Sequence, residues 1–184
     1  DYLDEHPGGV PAPEVWEPIH ECSRSIGVDG INGAEVHFMR NGSSDFTMTT
    51  GPVLTWTTGL SPYTYQDEVF AVQSICGEES SESESVFVDE APSPLSTVEM
   101  DPPTNYAGQK AIDLDDITEG SQLDVGLTSG GVFDSLASYP FFWRNGYDVS
   151  DPLGRPLEAG DELEFEQQLC EEVTTSVGPS VEPC

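Results

Sequence analysis

Two stretches of this sequence align with each other and decide the fold. Residues 61–76 read SPYTYQDEVFAVQSIC and residues 155–170 read RPLEAGDELEFEQQLC. In each stretch, apolar and polar residues alternate after an Asp-Glu pair, which is the period of a β-strand with one buried face. The match therefore predicts that one structural unit occurs twice in the chain. Five of the sixteen positions are identical without a gap: Pro62, Asp67, Glu68, Gln73 and Cys76 recur as Pro156, Asp161, Glu162, Gln167 and Cys170.

The correspondence extends toward the N-terminal side of each stretch. Residues 25–33 (SIGVDGING) match residues 111–120 (AIDLDDITEG), and each segment precedes another alternating run. With 18 Gly and 15 Pro in 184 residues, the chain has no room for long helices. Strands at roughly ten-residue spacing indicate an all-β sandwich fold. The predicted strands cover 25–28, 35–39, 53–57, 68–75, 85–88, 111–114, 122–127, 141–144, 162–169 and 175–181.

Composition divides the chain into four parts. Residues 1–21 hold four prolines and little periodicity, which predicts an N-terminal arm or linker that could add a strand to the next copy in a fibre. Residues 22–90 and 106–184 are the two predicted β-sandwich modules. Residues 91–105 lie between them and are rich in proline, which predicts a stiff, extended connector.

Each half also resembles known modules. The stretch 68–92, EVFAVQSICGEESSESESVFVDEAP, resembles the last two strands and the exit of fibronectin type III domains. The turn formed by Pro156, Leu157, Gly160 and Asp161 is similar to one in the Ig-like repeats of large bacterial, archaeal or phage surface proteins. The resemblance spans most of residues 11–183. It implies two tandem Ig-like or fibronectin III-like β-sandwich modules of an extracellular surface protein.

The charge excludes several classes of partner. The chain carries 35 acidic and 5 basic residues, a formal net charge of −30. A phosphate backbone requires a basic surface, so nucleic acid is excluded as a partner, and anionic lipid is disfavoured for the same reason. No apolar stretch is long enough for membrane insertion. Since 36% of the residues are hydrophobic, we expect a folded, acid-coated, halophilic protein that works in a saline setting.

The four cysteines, Cys22, Cys76, Cys170 and Cys184, are too widely spaced for a zinc ribbon or a redox pair. Their even number predicts two disulfides and an extracellular or surface-associated location, either secreted or on a virion. Three connectivities are open. We favour Cys22–Cys76 and Cys170–Cys184, one in each module, over a Cys76–Cys170 bond between modules. The alternative is free buried thiols in a cytosolic protein.

No catalytic motif appears, and the three histidines are scattered, so the sequence predicts a protein that is not an enzyme. Calcium is the metal that the sequence favours. Asp113, Asp115 and Asp116 cluster near a turn and offer hard oxygen ligands. Further acidic groups are Asp148 with Asp151, and Asp67 and Glu68 with Asp161 and Glu162. The alternative interpretation is a solvated acidic face.

The densest aromatic cluster lies in residues 138–147, SYPFFWRNGY. Such a cluster stacks on a sugar ring or forms a protein contact, and the alternative is that Phe141 and Trp143 are core residues of a strand. The candidate contact residues for a ligand or partner are Tyr139, Phe142, Trp143, Arg144 and Tyr147.

Together these patterns predict a structural or adhesive protein of a surface appendage, filament, capsid or fibre. Its expected partners are proteins, through self-assembly or within a larger surface complex. The alternative function is a carbohydrate-binding or calcium-dependent cell-adhesion module, with a glycan as ligand.

Overall fold

The structure, a computed structural model, describes residues 9–51, 55–100, 104–109, 112–129, 132–139, 148–149 and 155–184. The chain divides into two compact units, Asp1–Glu90 and Ala91–Cys184. Every regular element in the described ranges is a β-strand, so the all-β prediction is confirmed. In these ranges no helix is long and apolar enough to cross a bilayer.

The described residues of unit 1 form eight strands: β1 Glu14–Val15, β2 Ile26–Asp29, β3 Glu35–Arg40, β4 Ser43–Thr49, β5 Thr55–Thr57, β6 Glu68–Ile75, β7 Glu78–Glu79 and β8 Val86–Phe87. One sheet has the order β1-β2-β5. The other has the order β4-β3-β6-β7, and β8 pairs with the start of β6. All strand pairs are antiparallel.

Unit 2 repeats this order. Its strands are β9 Glu99–Met100, β10 Ile112–Asp115, β11 Gln122–Ser129, β12 Val132–Tyr139, β13 Asp148–Val149, β14 Glu162–Leu169 and β15 Glu172–Ser180. The sheets are β13-β10-β9 and β12-β11-β14-β15. The matching strand orders show an Ig-like, fibronectin III-like sandwich in both units and confirm the predicted fold class.

Each unit buries its own apolar core between its two sheets. In β6, Val69 and Ala71 face inward and are almost fully buried, and Leu163 and Phe165 occupy the same places in β14. Alternate residues of each strand therefore supply the core, as the period-two pattern predicts. A buried polar residue follows in both strands.

That residue is Gln73 in β6 and Gln167 in β14, which are 1% and 0% exposed. The Gln73 side chain accepts a hydrogen bond from Ile31 N at 2.9 Å and donates one to Pro11 O at 2.8 Å. The two glutamines were matched by sequence alone, and they occupy equivalent buried positions.

Gln167 makes equivalent contacts in unit 2. Its Oε1 accepts from Thr118 N at 2.6 Å and from Ser121 Oγ at 2.9 Å, and its Nε2 donates to Ser96 O at 2.7 Å. Each glutamine thus ties the loop after the second strand to the first segment of its own unit. Because a buried amide is costly unless it is hydrogen-bonded, these contacts explain why a polar residue is tolerated there.

The penultimate strand is β6 in unit 1, where β7 and β8 together form the last strand, and β14 in unit 2. The turn before it is also the same in both units. Asp67 Oδ2 accepts a hydrogen bond from Thr64 N at 2.9 Å, and Asp161 Oδ2 accepts one from Glu158 N at 2.8 Å. The residue before each aspartate has a positive φ, 67° at Gln66 and 90° at Gly160. The recurring Asp therefore builds a turn through its side chain.

The predicted N-terminal arm is wrong over residues 14–21. Strand β1 pairs with β2, and Ile19 is buried in the core of unit 1. Trp16 N donates to Gly27 O, and its ring lies where a side chain at Gly27 would project. The prolines obscured a short strand that has only two paired residues.

The predicted connector is wrong over residues 95–100. Leu95, Val98 and Met100 are buried in unit 2, and β9 pairs with β10. These apolar residues belong to the first segment of the second sandwich, because without them one face of its core would be open to water. Strands β4 and β12 were not predicted, and the predicted strand 141–144 lies outside the described residues.

Candidate functional sites: cysteines and module surfaces

The cysteines do not form the predicted pairs. Cys22 and Cys170 are disulfide-bonded, whereas Cys76 and Cys184 are free thiols at exposed positions. The favoured pairs Cys22–Cys76 and Cys170–Cys184 are therefore wrong, and so is the assignment of Cys76 and Cys184 as disulfide cysteines.

In unit 1 the reason is the length of strand β6. Cys22 N donates to Tyr63 O at 2.9 Å, close to the start of β6, whereas Cys76 follows the last residue of that strand. A strand of eight residues spans about 27 Å, but a disulfide joins Cα atoms only about 4–7 Å apart. Cys22 and Cys76 therefore lie near opposite ends of β6, too far apart for a disulfide.

The same argument applies to unit 2. Cys170 lies in the turn that joins β14 to β15, since Leu169 pairs with Glu172. Cys184 lies beyond the opposite end of this hairpin, where its Sγ donates to Ala107 O at 2.8 Å. The length of the hairpin therefore separates the two cysteines.

Cys76 and Cys170 nevertheless occupy equivalent positions, as the alignment predicts. Each is the first residue of a two-residue turn after the penultimate strand, with φ of 55° and 52°. Cys22 likewise corresponds to Gly108. The N–H of Cys22 donates to Tyr63 O and that of Gly108 donates to Leu157 O, and both residues have a positive φ.

The predicted calcium ligands lie in and after β10. By backbone register, Asp113 pairs with Asp148 and Asp115 pairs with Glu99. Asp115 is partly buried, and Asp116 is exposed with φ of 60°. Among the residues whose side chains are described, no group of three or more His, Cys, Asp and Glu could hold a metal ion.

The other acidic groups have structural partners of their own. Asp67 Oδ1 accepts from Asn41 Nδ2 at 2.7 Å, in addition to the turn hydrogen bond. Asp161 binds Arg155 through two hydrogen bonds, of 2.9 and 3.0 Å. These carboxylates hold turns together. The pair Asp67 and Glu68 lies in unit 1, and the pair Asp161 and Glu162 lies in unit 2. Asp151 lies outside the described residues.

The aromatic segment is described only at its start. Tyr139 ends β12, pairs with Leu123 and is partly buried. The other candidates, Phe142, Trp143, Arg144 and Tyr147, lie outside the described residues. A ligand or partner contact at this segment stays a prediction.

Arg40 is the centre of a cluster that sequence reasoning missed. Its guanidinium lies 4.0 Å from the centroid of the Tyr63 ring and 2.7 Å from Asp45 Oδ2, and it also donates to the carbonyls of Ser61 and Pro62. Burial raises the pKa of Tyr63 far above its usual value, so its hydroxyl stays neutral. The sequence signal for this cluster was the scarcity of basic residues. Each of them has many acidic residues as possible ion-pair partners, so each is expected to form such a pair.

Arg155 has a comparable position in unit 2. It holds Asp161 at the turn before β14, just as Arg40 holds the loop before β6. The hydrogen bonds from Arg155 lower the pKa of Asp161, and the bond from Glu158 N acts in the same direction. Two of the five basic residues thus fix the loop before the penultimate strand.

His37 forms the third polar cluster, on the outer side of the five-stranded sheet of unit 1. Its Nε2 lies 3.0 Å from Glu35 Oε1, and its Nδ1 lies 3.0 Å from Thr47 Oγ1. The acid, imidazole and hydroxyl are aligned as in a hydrolase, but the side chains of Glu35 and His37 are 57% and 38% exposed. Such an exposed arrangement stabilises cross-strand pairing rather than a nucleophile.

Strand β15 presents apolar residues at an edge of unit 2. Within the described residues it pairs in the sheet only with β14. Val173 and Val177 are 50% and 72% exposed. On the other side of the strand, Ser176 Oγ donates to Val98 O at 2.8 Å, which holds the strand on the sandwich. An exposed edge of this kind is a template for pairing with another chain.

No family model matches the chain, and the comparison with curated proteins found no match. Solved structures that resemble it include a biofilm associated protein BSP domain (TM-score 0.39, 13% identity, 94% of this chain and 29% of that one). The fibronectin(III)-like modules of Clostridium thermocellum CbhA match with TM-score 0.32 and 14% identity over 93% of this chain and 94% of that one. A marsupial T cell receptor matches with TM-score 0.31 and 12% identity over 94% of this chain and 71% of that one. The chain spans only 29% of the BSP-domain structure.

Proposed function

We propose that this chain is a non-enzymatic, extracellular structural or adhesive unit, which contributes two modules to a surface appendage, filament, capsid or fibre in a saline environment. The observation that carries the proposal is the repeated sandwich together with its oxidised cysteines, Cys22 and Cys170. Disulfides persist in oxidising compartments, and tandem sandwich units serve as spacers whose function lies in their geometry.

The charge supports a saline setting. A net charge of −30 on 184 residues produces strong self-repulsion, which salt or divalent cations screen. The Debye length falls from about 10 Å at 0.1 M salt to about 3 Å at 1 M. Copies of this chain that repel one another at low ionic strength can therefore associate at high salt concentration.

The edge of β15 supports contact between copies. Val173 and Val177 are exposed on a strand that, within the described residues, pairs in its sheet only with β14, and β-branched residues favour an extended partner strand. We take a second copy of this chain as the partner, in line with the self-assembly expected from the sequence.

Sedimentation velocity of the full chain at about 0.05 M and about 1 M NaCl tests the proposal. We expect monomers at low salt and reversible oligomers at high salt. Val177→Lys should suppress the oligomers because it places a charge on the edge of β15. Ser81→Lys, which makes the same charge change at an exposed position of unit 1, is the matched control. A chain that is strictly monomeric at both salt concentrations would contradict the assembly role.

Calcium-dependent adhesion is the second candidate, and the backbone register of β10 favours it. The register places acidic residues opposite each other on three neighbouring strands, at Asp113 with Asp148 and at Asp115 with Glu99. Hard carboxylate oxygens are the ligands that Ca²⁺ prefers. If calcium binds there, CaCl2 should raise the Tm more than MgCl2 does, and Asp115→Asn should remove the difference. Equal Tm values in calcium and in chelator would exclude this role.

Glycan binding would use the aromatic segment of unit 2. A polysaccharide pull-down with the full chain should then be positive and should lose its signal in Trp143→Ala, because an aromatic ring provides the stacking surface for a sugar. A negative pull-down with the unaltered chain would leave the structural role as the better account.

A further inference from the structure

The outer face of the five-stranded sheet of unit 1 carries apolar side chains. In β3 and β6, residues that face the core alternate with residues that face outward. Phe87 of the edge strand β8 is 61% exposed, and the other outward apolar residues are partly exposed. We call this set the apolar stripe, and its members are Met39, Phe70, Val72 and Phe87.

The backbone register places the members of the apolar stripe next to one another. Met39 pairs with Phe70 across β3 and β6, and Val72 is the next outward residue of β6. Phe87 pairs with Glu68, the outward residue before Phe70. Cross-strand partners share a face of the sheet, as do residues two apart on one strand. The stripe therefore crosses three neighbouring strands.

Unit 2 lacks this stripe, although it forms the same sandwich. The buried glutamines fix the correspondence, because Gln73 pairs with Val36 just as Gln167 pairs with Leu123. Counted from these pairs, the counterparts of Met39, Phe70, Val72 and Phe87 are Gly126, Glu164, Glu166 and Ser180. The sandwich therefore forms with polar or small residues at these positions, and its fold does not require the stripe. Exposed apolar residues that a fold does not require mark contact surfaces in soluble proteins.

The charges at the two ends of the apolar stripe indicate what it contacts. Beyond Val72, Ser74 pairs with Glu35 on one side and with Glu79 on the other, so two carboxylates share this end of the outer face. Glu68 lies at the other end. Ser74 is six residues after Glu68, so the two acidic ends are about 20 Å apart along β6. A complementary partner has an apolar centre with basic groups at a similar spacing.

A second copy of this chain does not match that description. The chain holds 5 basic residues against 35 acidic ones. Two of the five, Arg40 and Arg155, form ion pairs with Asp45 and Asp161 of the same chain. The partner that fits the stripe is therefore a different protein.

We infer that the apolar stripe of unit 1 is a docking surface for another protein, which contributes an apolar segment flanked by lysine or arginine. The apolar side chains of that segment cover Phe70 and Phe87, and its cations pair with the carboxylates at both ends of the stripe. The inference goes beyond the proposed self-assembly, because it uses unit 1 and does not involve the edge of β15.

The experiment measures binding of synthetic peptides to the full chain by fluorescence anisotropy. The probe is KKVTFTVKK, whose inner lysines are six residues apart, as Glu68 and Ser74 are. One control peptide, KKSTSTSKK, has the same charge without the apolar centre, and the other, EEVTFTVEE, has the opposite charge. At about 0.15 M NaCl we expect the probe to bind with a Kd at least about tenfold lower than that of either control.

Two variants introduce the residues of unit 2 into the stripe. Phe70→Glu and Phe87→Ser should each raise the Kd of the probe at least about tenfold. In Phe70→Glu this loss would occur although the new carboxylate attracts lysine, so it would report the apolar contact. Val177→Glu makes the same charge change at an exposed apolar residue of unit 2 and should leave the Kd within about twofold. Circular dichroism confirms that each variant is folded, and Phe87→Ser alters only an exposed position.

Four results would overturn the inference. Equal Kd values for KKVTFTVKK and KKSTSTSKK would show attraction by charge alone, and equal values for KKVTFTVKK and EEVTFTVEE would show that the acidic ends are not used. An unchanged Kd in both stripe variants would place the binding elsewhere. No binding of any peptide would also count against the stripe.

The same variants separate this inference from the proposed self-assembly. Phe70→Glu should still form oligomers at high salt in sedimentation velocity, whereas Val177→Glu should lose them and still bind the probe. A chain that binds the probe but stays monomeric at every salt concentration would contradict the self-assembly alone. If Phe70→Glu loses the oligomers and binds the probe normally, the stripe is a contact between copies and the inference is wrong.

Discussion

The residue that best explains both units is the buried glutamine of the penultimate strand. Gln73 and Gln167 each lie in an otherwise apolar row and use both ends of the amide to bind backbone groups. Such a residue contributes little net free energy when it is satisfied, but its removal leaves buried donors and acceptors without partners. It therefore specifies which loop and which first segment pack on the sandwich.

Replacing Gln167 with Met, which has a similar volume, should destabilise unit 2. The change removes the hydrogen bonds to Thr118, Ser121 and Ser96, and we expect a loss of about 2–4 kcal/mol in the free energy of unfolding. Chemical denaturation measures the loss. Gln168→Met, at the next and exposed position of the same strand, should change stability by less than about 0.5 kcal/mol. Equal effects of the two variants would refute the role of Gln167.

Asp161 predicts a pH dependence. Its pKa is lowered by Arg155 in the folded state, so its stabilising effect is present above its unfolded pKa of about 4 and is lost as the pH falls through the lowered value. Asp161→Asn keeps an acceptor for Glu158 N but loses the ion pair. The Tm difference between the unaltered chain and this variant should be largest near neutral pH and should shrink below about pH 4.

The matched control for this pH series is Asp29→Asn, which removes one exposed carboxylate from the end of β2. A Tm difference for Asp161→Asn that grows as the pH falls would contradict the assignment of Arg155 as its partner.

Sequence comparison identified these residues but not the cysteine pairing. Gln73, Asp67 and Cys76 were matched to their counterparts because each must satisfy a local requirement: a buried amide, a side-chain turn and a positive φ. Pairing depends instead on the distance between the two ends of a strand. That distance follows from the register and from where the flanking loops return, which a linear alignment does not contain.

At the scale of elements, the last strand of unit 1 is divided into β7 and β8 by a serine-rich segment. Ser80 and Ser83 continue the pairing with β6 through their side chains. Ser80 Oγ accepts from Gln73 N at 3.1 Å, and Ser83 Oγ accepts from Ala71 N at 3.0 Å, while their own N–H groups donate to the carbonyls of the same two residues. The hydroxyls thereby complete a ladder that the backbone alone leaves open.

Ser83→Ala should therefore destabilise unit 1 by about 1–2 kcal/mol, because Ala71 N loses its acceptor in a partly buried place. Ser81→Ala removes a hydroxyl from an exposed position in the same segment and is the control. Hydrogen exchange of the Ala71 amide provides a second measurement. Unchanged protection of that amide in Ser83→Ala would show that the hydroxyl does not act as its acceptor.

The predicted strands that were found share a strong alternation of apolar and polar residues, as in β6 and β14. Strands β4 and β12 were missed because they lie at sheet edges, where β4 is exposed or only partly buried along its whole length. Sequence patterns thus predict every inner strand, whose faces are dictated by burial, but only some edge strands, such as β15. Edge strands depend on pairing, and their sequences carry a weaker signal.

At the scale of the whole molecule, the net charge of −30 opposes folding and association alike. Salt should therefore raise the Tm between about 0.05 and 1 M NaCl, by about 4–8 °C for each kcal/mol of repulsion relieved in units of this size. Differential scanning calorimetry measures the shift. The increase should be smaller near pH 4, where many carboxylates are protonated, and a Tm that is independent of salt at pH 7 would contradict the saline setting.

The central claim is that the chain builds one sandwich module twice, each with its own core and its own glutamine anchor. Native-state hydrogen exchange of the full chain tests it most directly. We predict two separate sets of strongly protected amides, in β3 and β6 and in β11 and β14, with slow exchange also at Ile31 N and Thr118 N, the loop amides bound by Gln73 and Gln167. Protection confined to one half of the chain, or exchange of Ile31 N and Thr118 N at the rate of open loops, would contradict the account.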